Sequence, residues 1–144
     1  MMTRFAAGPL QAGVRDVLQA SLPVMESIAS LYDTVPETAV SPYLYFGASE
    51  EVAEDTKTLT GRSITFDLGI VAGSGGQCTV KSLFSLIDTA LKDGGLAVSG
   101  WSLVSLSLVS ARVDANQKTL QGTIAQRTTE GVLRYKALLF QQQS

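Results

Sequence analysis

The residues able to do chemistry are few, and the densest group is Glu50-Glu51-Val52-Ala53-Glu54-Asp55, four carboxylates within six residues. Carboxylate oxygens suit hard divalent cations, but a calcium loop alternates its acids around a central glycine and closes on a glutamate, and this run does neither. The plainer reading is a loop or a ragged hairpin tip, followed by a turn at Thr60-Gly61, that is solvated or meets a basic partner. Cys78 is the single thiol in a chain with no histidine, so it lacks the usual base of a thiol nucleophile. It reads as a buried structural residue where a helix begins to pack. The missing histidine also removes the commonest metal ligand and neutral-pH acid/base, leaving only carboxylate, lysine or tyrosine chemistry open to an enzyme. Gly73-Ser74-Gly75-Gly76-Gln77 lies between a strand and a helix, where backbone N–H groups can bind phosphate. Its spacing fits neither phosphate motif: Val80 stands before Lys81-Ser82 where a glycine is needed, and Cys78 takes the place of the third glycine of a dinucleotide loop. No catalytic residue, cofactor site or metal site is expected.

The elements that would carry any site follow from composition and periodicity. A chain of 144 residues, 45% hydrophobic and 17% charged, is the size of one domain with a real core, here spanning 1–144 with residues 1–8 and 141–144 expected to be flexible. A net charge of −2 offers no basic stripe for a nucleic-acid backbone. Nothing reaches the roughly 20 apolar residues that span a bilayer, since Leu103 to Val109 is broken by serines. The lone cysteine and the absence of an apolar N-terminal core fit folding in a reducing cytoplasm.

Leu10, Val14, Val17 and Leu18 recur at helical spacing after Pro9, predicting an amphipathic helix over 9–20. Pro23 interrupts it, and Ser21 can cap a short helical piece over 22–30. Pro36 and Pro42 then force the chain to extend and to join a sheet at its margin. Tyr43-Leu44-Tyr45-Phe46, closed by Gly47, reads as a strand over 42–49. Ile64, Phe66, Leu68 and Ile70 alternate with polar residues in a strand over 62–72, expected to pair antiparallel with it. Val80, Leu83, Phe84, Ile87 and Leu91 mark a second helix from Thr79, capped at Gly94-Gly95. Trp101, a core or interface anchor, opens a strand to Val113 with Ser105 and Ser107 on its polar side. Turns at 115–118 and 129–131 would separate further strands over 119–128 and 132–141. The class expected is α+β: a mostly antiparallel sheet with two main helices packed on one face. Such a domain, with exposed aromatics and no assembled chemistry, works by association with itself or with partners.

Leu31-Tyr32-Asp33 followed by Val35-Pro36, then Ser41-Pro42-Tyr43-Leu44-Tyr45-Phe46-Gly47, the second helix, and Gly131-Val132-Leu133-Arg134-Tyr135-Lys136-Ala137-Leu138 resemble the tail-terminator or tail-completion family of long-tailed bacteriophages and gene-transfer agents. The resemblance runs from about residue 10 to residue 140. It departs from the family pattern after residue 114: either 115–118 or 129–131 could be the turn that leads into the closing Gly-Val-Leu-Arg type strand, with Gln121-Gly122-Thr123-Ile124 competing for the same match, so an insertion or an added strand separates them. The resemblance implies a non-enzymatic ring, a hexamer, at the head-proximal end of the tail tube, assembled in the host bacterial cytoplasm and carried in the virion. Its partners would be itself, the tail tube protein and the head–tail connector or stopper protein. Tyr43 and Tyr45 would anchor the sheet or the subunit contact, and Glu50, Glu51, Glu54 and Asp55 would face a neighbour or the tube. The alternatives are a head-completion or connector protein, and a small-ligand-binding regulatory domain.

Overall fold

A computed structural model describes residues 5–21, 31–36, 42–72, 76–119 and 125–142. The order is α1 (Ala7–Ser21), β1 (Leu31–Tyr32), β2 (Tyr43–Ala53), β3 (Gly61–Val71), α2 (Gly76–Asp93), β4 (Trp101–Thr119) and β5 (Ala125–Gln141). The five strands form one sheet in the order β1-β2-β3-β5-β4, antiparallel throughout except where β1 lies parallel to β2. This is the expected α+β architecture. The short helix proposed over 22–30 lies outside the described residues.

Alternation builds the core. Leu44 of β2, Ile64, Phe66, Leu68 and Ile70 of β3, and Leu133, Tyr135, Ala137 and Leu139 of β5 are buried on one face of the sheet. They meet Leu10, Val14, Val17 and Leu18 of α1 and Leu83, Ile87 and Leu91 of α2, the apolar stripes that helical spacing marks out. Trp101 is buried in the same cluster, as a core anchor should be. At the C-terminal end of α2, Gly94 donates its N–H to Ala90 O and Gly95 adopts φ +70°, the left-handed cap expected there. The Tyr135 ring stacks on Phe66 at 5.8 Å and its hydroxyl donates to Asp88 Oδ1 at 2.8 Å, so the one polar atom of this core ring is satisfied.

Three expectations need correction. The strand over 42–49 does not end at Gly47: β2 runs to Ala53 with a bulge between Phe46 and Ser49, so Glu50 and Glu51 belong to a strand and only Glu54 and Asp55 fall in the loop. A partner strand, β3, extends ladder pairing through residues that local composition assigns to solvent. Cys78 is exposed in the first turn of α2, because the helix starts at Gly76 and the residue that packs inward is Val80. Among the described residues the C-terminal third holds two long strands, not three. Residues 115–118 and 129–131 lie within a single hairpin whose ladder runs from Trp101↔Gln141 to Thr119↔Ala125.

Gly131 shows why a turn was the wrong reading there. It pairs with Ile70 on one side and Val113 on the other, and a Cβ at this position would collide with the Val80 and Phe84 side chains of α2. The glycine lets the helix settle on the sheet.

Gly131→Val should cost about 1–3 kcal/mol by overpacking this contact, read as a lower urea midpoint at unchanged slope. Burial, together with the hydrogen bond to Asp88, holds the Tyr135 phenol well above its ordinary pKa. The folded state then keeps a proton that the unfolded chain releases above roughly pH 10, so stability should fall as pH rises through that range. Tyr135→Phe should weaken that fall and cost about 1 kcal/mol at neutral pH, both read from urea midpoints across pH.

Candidate assembly surface

Because both helices pack on one side, the other side of the sheet carries the alternate residues of every long strand: Tyr43, Tyr45, Glu50 and Val52 of β2, Thr65 and Asp67 of β3, Arg134 and Lys136 of β5, and Ser105, Ser107, Ser110 and Arg112 of β4. Among the described residues no helix covers this face.

Its tyrosines form a ladder. Tyr32 meets Tyr43 edge-on at 5.6 Å, and Tyr43 tilts against Tyr45 at 6.5 Å. The Tyr45 ring lies against Gly69 of β3, where any Cβ would occupy the ring's own space. Both Tyr43 and Tyr45 are half-buried, and burial followed by the nearby Glu130 carboxylate raises their pKa, so both remain neutral donors at physiological pH. Beside them Arg134 makes a two-pronged pair with Asp67, at 2.8 and 3.1 Å, a geometry that holds both side chains in place. Ala48, Ser49, Glu50 and Thr65 complete a shallow polar recess around this pair.

The four carboxylates at 50–55 are not brought together as a group. Glu50 is exposed on the bare face. Glu51 points to the helix side, where its Oε2 accepts from Ala6 N–H at 2.7 Å and its Oε1 from Ala7 N–H at 3.2 Å, while Arg62 approaches at 3.5 Å. It therefore caps α1 from a strand 45 residues away in sequence, satisfying donors that the helix itself leaves open. Asp55 accepts from Gly61 N–H at 3.0 Å and from Arg62 Nη1 at 2.9 Å, closing the β2–β3 turn. Glu54 is exposed in that turn, and its backbone N–H donates to Gly61 O. Sequence reasoning missed the Asp67–Arg134 pair and the capping role of Glu51, since both need the strand register. Among the described residues no three His, Cys, Asp or Glu side chains are grouped so as to hold a metal, and no helix is long and apolar enough to cross a membrane.

The family model of the tail completion protein gp17 matches residues 12–139. The chain belongs to that family. As a tail completion protein it is a structural component of the virion tail. Among the solved structures that share its fold are a chain from the virion of a native gene transfer agent particle, with TM-score 0.68, 24% identity and coverage of 94% of this chain and 97% of that one, and the gp17 protein of bacteriophage SPP1, with TM-score 0.57, 19% identity and coverage of 96% and 92%. No curated protein sequence matches this tail completion protein.

Glu51→Ala should lower stability by about 1–2 kcal/mol through loss of the α1 cap, whereas Glu50→Ala should leave it within about 0.5 kcal/mol. Urea unfolding of the two variants checks the contrast.

Proposed function

We propose that this tail completion protein forms a ring, a hexamer, at the head-proximal end of the tail tube, where it ends tube growth and presents a surface to the head–tail connector. The observation that carries the reading is the sheet face left without helices, with its half-buried tyrosine ladder, in a member of a tail completion family. A surface that is ordered by its own packing yet uncovered suits docking between rigid subunits. It is a non-enzymatic role, acting through self-association and contact with tube and connector proteins. Tyr43 and Tyr45 serve as aromatic anchors. Glu50, Glu54 and Asp55 are exposed; the first two are available to a neighbour, while Asp55, paired with Arg62, and Glu51 set the local geometry that presents them. Occurrence of a like-folded chain in a gene transfer agent virion is in keeping with a place in such a particle.

Light scattering over a dilution series, with negative-stain images and added tail tube protein, tests the reading. A six-fold ring that caps tubes is expected. Tyr43→Ala with Tyr45→Ala should lose ring formation or capping while remaining folded. A protein that stays monomeric and ignores tube protein would overturn the proposal.

A further inference from the structure

The sheet has two open margins. Among the described residues β4 pairs with β5 and otherwise makes only the single bridge from Trp101 to Val98. Along its other side an eleven-residue run, Trp101 to Ala111, contains no charge, proline or glycine. Natural sheets blunt such margins with charges, prolines, short strands or bulges, because unpaired N–H and C=O groups recruit further strands; of these devices the run has bulges alone. Here two bulges, at Leu103/Ser105 and Leu108/Ser110, leave Val104 and Val109 without ladder partners, and Val104, Leu108 and Val109 are 59%, 44% and 54% exposed. An uncharged margin that exposes two valines and a leucine offers a further strand both main-chain groups and apolar area.

The opposite margin belongs to β2. β1 pairs with it only at Leu44 and Tyr45, so Phe46 to Ala53 have no described partner on that side. Val52 is 46% exposed there, and Phe5, beside the Ala6 amide that Glu51 binds, is 67% exposed.

Register relates the two margins. Phe46 pairs with Leu68, Leu68 with Leu133 and Leu133 with Ala111; at the other end Ala53 pairs with Arg62, Arg62 with Leu139 and Leu139 with Leu103. The open segment of β2 thus occupies the same rows of the sheet as the uncharged run of β4. Rows also preserve the face, so a neighbour joined in this register would continue both the core side and the bare side. Since β2, β3, β5 and β4 alternate in direction, β4 of one copy would meet β2 of the next antiparallel, the stronger of the two ladder types. The two margins differ, which is what a head-to-tail interface requires.

We propose that the β4 margin of one copy, from Leu103 to Ala111, pairs antiparallel with the β2 margin of a second copy, from Phe46 to Ala53, and that this strand pairing is the ring's subunit contact. The inference rests on the ring reading above. The occupant is a second copy and not a foreign strand, because this chain itself supplies an open margin of matching rows, face and direction.

Two variants with one damaged margin each provide the test: V104K/V109K for β4, and F5S/V52K for β2. Each alone should be a folded monomer by light scattering and circular dichroism while the wild type is an oligomer. Mixed in equal amounts, they should form a dimer and grow no further, since each retains one intact margin. Should a variant fail to fold, E50C and S107C, both in a C78S background, provide the second measurement. These positions share a row through Thr65 and Lys136, so oxidation of the mixture should give a disulfide-linked dimer that neither gives alone. Wild-type oligomers from V104K/V109K, a dimer of F5S/V52K with itself, or a mixture that neither associates nor cross-links would each overturn the inference. So would a monomeric wild type. A wild type that closes through these margins yet caps no tube would remove the terminator role and leave the contact standing.

Discussion

Burial of alternate β5 side chains beneath α2 is the constraint on which the rest of the structure depends. β5 is paired on both sides, and its Leu133, Tyr135, Ala137 and Leu139 reach the middle of the core. For α2 to lie on these residues the strand must be glycine at position 131, where Val80 and Phe84 come down onto the backbone. Once β5 is interior, β3 and β4 take its two sides, β2 is added beyond β3, and β4 is left as a margin. The helices occupy one face, so tyrosines, serines and the Asp67–Arg134 pair are displayed on the other.

That arrangement explains why a protein with so few reactive groups can have a defined role. The acids that look like a metal loop in one dimension do not form one group in three: Glu51 and Asp55 converge on Arg62, and Glu50 lies on the opposite face. Glu51 turns inward to cap α1, Asp55 closes a turn with Arg62, and Glu50 stays on the surface. What the fold concentrates is main-chain hydrogen-bonding capacity on two margins and aromatic surface between them. Both suit association, which gains from burying apolar area and pairing backbone groups.

Much of this was legible in the sequence where a single period sufficed. The α1 stripe, the alternation of β3 and the second helix with its glycine cap depend on neighbours within one element, and those neighbours are close in sequence. The extended approach to Tyr43 followed from proline geometry. The failures share a cause: each depended on a partner strand far away in sequence. Glu50 and Glu51 read as loop or ragged hairpin tip because nothing local shows how far the pairing with β3 extends. Residues 115–118 and Thr129-Glu130-Gly131 read as turns because polar and glycine residues favour turns unless a long hairpin ladder holds them extended. Cys78 was placed inside by its type, although the start of α2 puts Val80 on the inward side instead.

Hydrogen–deuterium exchange of the assembled wild type, compared with the V104K/V109K variant, tests the central claim that association runs through the uncovered parts of the sheet. The account predicts strong added protection in the assembly for amides of 103–111 in β4 and 46–53 in β2, with α1 and α2 unchanged. Equal exchange at both margins in the two states, or new protection confined to the helices, would contradict it.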